Sequence, residues 1–151
     1  MPTNIDQRQI DQNRSQLTPV RDLRGTWEGT LADIHTQPRC IWAIPYLMRL
    51  VINDQTDTII TGTVSYELQK STVLHTNTNC IGSNGSNVWT PPIPFRADIS
   101  GSRFTNFDSG TWGSLSGSFT TDTITINPGQ ARAVGGVTDQ ISKPINLLRQ
   151  Q

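Results

Sequence analysis

From Gly25 onward the chain alternates between apolar and polar positions. Trp27, Gly29 and Leu31 fall on one face of an extended segment, and Thr26, Glu28 and Thr30 fall on the other. This predicts a first strand over about residues 25–34. The clearest alternation runs over residues 58–68, with Ile60, Gly62, Val64, Tyr66 and Leu68 on one side and Ile59, Thr61, Thr63, Ser65 and Glu67 on the other. Paired with residues 46–52 across the turn at 53–57, it predicts a hairpin. Pro45 is expected to break the apolar run from Cys40 to Ile52, leaving 41–44 as a loop edge, because proline lacks the N–H a ladder needs.

Further strands are predicted over 71–78, 95–101, 103–108, 111–120 and 123–127, joined by Gly, Ser and Asp turns. Pro91, Pro92 and Pro94 argue against a central strand through 88–94. Residues 145–148 read as a strand or a docked short helix, after a break at Gly135-Gly136. The sum is an all-β chain of roughly eight strands, the number that closes a small antiparallel up-and-down β-barrel. A recurring unit, apolar-hydroxyl-Gly-hydroxyl, appears at Ile60–Thr63, Ile99–Ser102 and Leu115–Ser118. Glycine within a strand lets a barrel wall bend and leaves room for a bulky neighbour.

The 151 residues suit one domain, taken as 21–151, preceded by a Gln- and Asp-rich tail over 1–20 with little to bury. Only 34% of residues are hydrophobic and 16% charged, and Thr, Ser, Asn and Gly make up the difference. That mixture favours short strands and tight turns over helices. The formal net charge is zero and the chain lacks a Lys/Arg cluster, so neither nucleic acid nor an anionic membrane surface is an expected partner. No membrane span and no signal peptide are visible. Cys40 and Cys80 form one disulfide if the protein is exported, or two partly buried thiols in a reducing compartment. Their positions beside loops and the polar composition tilt the reading towards the disulfide and towards secretion or the periplasm.

Gly25-Thr26-Trp27 resembles the Gly-x-Trp of the first strand in the calycin group, which includes lipocalins, fatty-acid-binding proteins and avidins. The resemblance implies a ligand-binding barrel whose closed end is plugged by Trp27. It also implies an arginine from near the last strand packed on the Trp27 ring, with Arg132 favoured over Arg149 for this role. Ile60-Thr61-Gly62-Thr63-Val64 is similar to an avidin strand, but Gly29 stands where that pattern has its biotin-binding Asn. Gly25, Trp27 and Gly29 also match nitrobindin-like barrels, whose haem-binding His near the C-terminus has no counterpart after His75. No cofactor is therefore implied.

The candidate ligand-binding residues are Trp42, Tyr46, Tyr66, Trp89 and Trp112. Trp42 and Trp89 adjoin Pro-containing segments where a barrel mouth belongs, and aromatic rings there stack on or cover a small ligand. The same rings also suit caps over the core beneath long loops. Asp33 and His35 share a strand face without a third metal ligand, so no metal site is expected. No nucleophile elbow, zinc motif or phosphate loop is present. Arg49 and Glu67, on neighbouring strands, read as a salt bridge. The expectation is thus a non-catalytic binder of a small apolar or aromatic molecule. A cofactor-free cyclase or isomerase, or an oligomerising structural module, are the alternatives. Asn13 and Asn84 head glycosylation triplets.

Overall fold

A computed structural model describes residues 21–37, 40–76, 80–82, 84–109, 114–130 and 138–151. The tail expected over 1–20 lies outside the described residues. The strands are β1 (Gly25–Thr36), β2 (Cys40–Gln55), β3 (Ile59–Leu68), β4 (Thr72–Thr76), β5 (Ile93–Ser100), β6 (Arg103–Asp108), β7 (Leu115–Phe119), β8 (Thr123–Ile126), β9 (Gly129–Gln130), β10 (Thr138–Ile141) and β11 (Ile145–Arg149). Eight of them close an antiparallel up-and-down barrel in the order β1-β2-β3-β5-β6-β7-β8-β11 and back to β1. Closure removes the free edges that an open sheet of this size would carry.

The two longest strands outgrow the barrel. β1 pairs with β11 at Trp27 and Glu28, then with β10 from Asp33 to Thr36. β2 pairs with β3 from Gln55 back to Tyr46, then with β4 at Ala43 and beyond. The upper ends of β1 and β2, flanked by β4 and by β10 with β9, form a rim above one end of the barrel. The predicted strand at 71–78 is therefore part of this rim rather than of the wall. β9 and β10 were not expected, and residues 145–148 lie in a wall strand.

Pro45 does not interrupt β2, which runs continuously from Cys40 to Gln55. The reason is its position. The Pro45 carbonyl accepts from Gln69 N–H at 2.9 Å, so its nitrogen faces the same side. There β3 has ended at Leu68, opposite Tyr46, and β4 has not begun until Thr72, opposite Ala43. The missing N–H falls where no ladder partner stands. Pro94 lies in β5 opposite Thr63, just past the last β5–β6 pair, Arg96↔Asp108, where β5 has outrun its second neighbour.

The interior is apolar and closely filled. Trp27, Leu31, Met48, Leu50, Ile52, Val64, Phe107, Ile126 and Leu147 are all nearly inaccessible. Phe95 stacks on Phe107 with centroids 5.0 Å apart, and Phe104 meets Phe107 edge-on at 6.2 Å. Burying each such side chain contributes about 1.5–3 kcal/mol. Gly62 and Gly117 make the packing possible. A Cβ on Gly62 would overlap the Val51 carbonyl and crowd Phe95, and one on Gly117 would overlap the Thr125 carbonyl and crowd Phe104. The third copy of the same unit behaves differently: Gly101 is in the β5–β6 turn at φ +59°, with nothing near it.

Candidate functional site

One end of the barrel is sealed by its own side chains. Leu23, before β1, is fully buried beneath Trp27, and the Trp27 indole N–H donates to the Leu23 carbonyl at 2.9 Å. The Gln55 amide holds this segment from both sides, accepting from Leu23 N–H and donating to the Arg21 carbonyl, each at 2.6 Å. Arg149 lies across the Trp27 ring with its guanidinium carbon 4.3 Å from the centroid. Its three nitrogens donate to the carbonyls of Thr121, Arg24 and Asp22 at 3.1, 3.0 and 2.7 Å. The cation seen on Trp27 is thus Arg149; Arg132, the arginine favoured from the sequence, lies outside the described residues. The reason is register: Arg149 is the direct cross-strand partner of Trp27.

Above this floor the space among the described residues is small. The void bounded by Leu50, Ile60, Phe104, Phe107 and Phe119 is about 10 Å³, at the limit for one water. That void is too small to hold a ligand.

The inner face changes character towards the rim. Tyr46 and Tyr66 are partly buried against the core, edge to face, with ring centroids 6.0 Å apart. They flank Met48, which pairs with Tyr66, while Tyr46 pairs with Leu31. Higher on the same face, buried Asp33 stands opposite Ile44, and His35 opposite Trp42. An Asp33 carboxylate oxygen accepts from Gln140 N–H at 3.1 Å and ties β10 to β1. The His35 and Trp42 rings are 5.5 Å apart, and the Trp42 indole N–H donates to the Ile81 carbonyl at 3.1 Å. Cys40 and Cys80 are joined as a disulfide, with Cα atoms 6.2 Å apart, and this pins the loop after β4 to the same corner.

Trp89 is elsewhere. Its ring lies 4.0 Å over the Arg49 guanidinium, and Arg49 points outward between inward-facing Met48 and Leu50. Trp89 therefore covers the outer wall and does not line the interior. Its backbone bridges to Glu67, and Thr90 N–H donates to the Tyr66 carbonyl at 2.7 Å, so this stretch prolongs the β5 side of β3 beyond the two prolines. Arg49 donates to Glu28 at 2.7 Å, not to Glu67, because Glu28 is its direct partner in β1 whereas Glu67 faces Leu47. Trp112 lies outside the described residues. Of the five candidates, three — Trp42, Tyr46 and Tyr66 — share the inner face near the rim.

Among the described residues no group of three or more His, Cys, Asp or Glu side chains is placed to hold a metal ion, and no helix is long and apolar enough to cross a membrane. No protein-family model, curated protein or solved structure matches the chain. The class is defined by architecture alone: an eight-stranded antiparallel barrel consistent with the calycin superfamily, closed at the Trp27 end.

Proposed function

We propose that the protein binds a small apolar or aromatic molecule, without transforming it, at the rim end of the barrel. The observation that carries this reading is the Tyr46–Tyr66 pair, partly buried and edge to face above a filled floor. A ligand there would rest on Leu31 and Met48, with the tyrosine rings as side walls and Trp42 above. Apolar burial would supply most of the affinity, and the tyrosine hydroxyls its orientation. Because the void beneath is small, the ligand would be shallow.

The test is native mass spectrometry of protein purified from its source, followed by titration with 8-anilinonaphthalene-1-sulfonate. One small molecule lost on denaturation, or one saturable probe site abolished in Tyr46→Ala/Tyr66→Ala with the fold intact, supports the carrier. An empty protein that binds no probe argues against it. A discrete homo-oligomer in the same spectrum would favour a structural module.

A second reading, a cofactor-free cyclase or isomerase, draws on Asp33. A carboxylate buried on the inner face, near the proposed ligand, is a group from which a general base is made. Turnover of a bound ligand that is lost in Asp33→Asn, while binding persists, would favour this reading over the carrier.

A further inference from the structure

Among the described residues, a groove flanks β6 on each side of the outer wall, each about 380 Å³. The groove towards β5 carries one arginine and two carboxylates, Arg96, Asp98 and Asp108. Arg96 lies 3.7 Å from Asp98, and the Asn106 amide donates to Asp98 at 2.9 Å. The groove towards β7 has the opposite character. Arg103, Thr105, Ser116, Ser118 and Asn127 line it, and among the described residues no carboxylate does. Among the described residues the Arg103 side chain makes no ion pair or hydrogen bond.

A bulge separates the two. From Phe104 to Phe107, β6 uses one residue more than β7 uses from Gly117 to Leu115, and Asn106 takes a left-handed backbone at φ +54°. Such a bulge re-aims side chains and leaves ladder groups unpaired. Here it turns Asn106 to the acidic side and leaves Thr105 on the basic side. On β7 the Ser116 hydroxyl is held as well. Asn127 donates from its backbone to the Ser116 carbonyl at 2.8 Å and from its amide to the Ser116 hydroxyl oxygen at 3.4 Å. With its oxygen already accepting, the Ser116 O–H is left to donate outward.

We propose that this groove binds a small phosphate or sulfate ester. The planar guanidinium of Arg103 takes two oxyanion oxygens, and the hydroxyls of Thr105, Ser116 and Ser118 donate to the remainder. The volume exceeds a bare oxyanion and leaves room for a sugar-sized group. The site is independent of the barrel interior and does not rest on the carrier reading.

The test is two-dimensional ¹⁵N NMR titration of the intact protein with glucose 6-phosphate, inorganic phosphate, inorganic sulfate and glucose. The expected result is saturable shifts confined to residues 103–105, 116–118 and 127, with Kd of about 1–10 mM for an exposed site of this kind. The spectrum itself reports that each variant is folded. Arg103→Gln weakens binding about tenfold or more, Arg103→Lys less, and Arg96→Gln leaves it unchanged. Tighter binding of the ester than of the bare ions supports the proposal, and equal binding overturns the ester reading and leaves a bare oxyanion site. Equal response in Arg103→Gln, shifts spread evenly over Arg21, Arg24 and Arg96, or glucose acting as strongly as its phosphate would each overturn the proposal.

Discussion

Trp27 and Arg149 are direct cross-strand partners, and the guanidinium carbon of Arg149 lies 4.3 Å from the centre of the Trp27 ring. The pair joins the first wall strand to the last and seals the barrel. Arg149 also satisfies three carbonyls that no strand reaches. Arg149→Gln should destabilise the protein by about 2–4 kcal/mol, since hydrogen bonds to a charged group contribute about 1.5–3 kcal/mol each and the carbonyls regain water in part. Arg149→Lys should recover less than half of the loss, because a point charge cannot serve three carbonyls in one plane. Urea unfolding midpoints with unchanged m-values measure both.

Three copies of one local sequence predict two different costs. Gly62→Ala and Gly117→Ala place a methyl against a backbone carbonyl and an aromatic ring, and should cost about 3 kcal/mol or more, or prevent folding. Gly101→Ala meets no atom but must hold a left-handed turn, at about 1 kcal/mol. Thermal melts of the three variants, side by side, should rank Gly101→Ala as the mildest.

The disulfide closes a segment 40 residues long. Chain-entropy reasoning assigns such a loop about 4 kcal/mol of stabilisation. Reduction, or Cys40→Ser/Cys80→Ser, should lower stability by about 2–4 kcal/mol and change the emission of Trp42, whose indole donates to the residue beside Cys80. Equal stability with and without reductant would contradict this.

At the sealed end, Arg24 donates two side-chain bonds and its backbone N–H to Asp22 and holds that carboxyl down at about 2. The sign follows from the depressed value. The contribution is present above the ordinary carboxylate range near 4 and disappears as pH falls from there through about 2. Both side chains are well exposed, so solvent keeps the contribution small. The Asp22 carboxyl carbon should titrate near pH 2 by NMR and move up in Arg24→Gln.

The alternation around Trp27 and Val64 made the first and third wall strands legible, because one face meets the core and the other meets solvent. Gly-Thr-Trp marked the sealed end. Pro45 misled, since its tolerance depends on β3 and β4 changing places beside it, a tertiary fact that no local pattern carries. No local pattern marks Arg149 as the arginine on Trp27, because which strand closes the barrel is a matter of pairing. The prolines beside Trp89 suggest a barrel mouth, yet its ring lies against Arg49 on the outer wall. Tyr46, Tyr66 and Trp42 share the inner face because strand parity alone decides it. The bulge in β6, on which the outer groove depends, leaves no mark in the sequence beyond an asparagine able to adopt a left-handed backbone.

The seal at the Trp27 end has one more consequence. Arg149 grips the carbonyls of Asp22 and Arg24, and Gln150 N–H reaches the Thr26 carbonyl at 2.8 Å, so residue 21 and the last residues leave the barrel side by side. A tether or fluorophore joined at the C-terminus therefore sits at the closed base, and the barrel can be anchored there to a surface by the end opposite its aromatic rim.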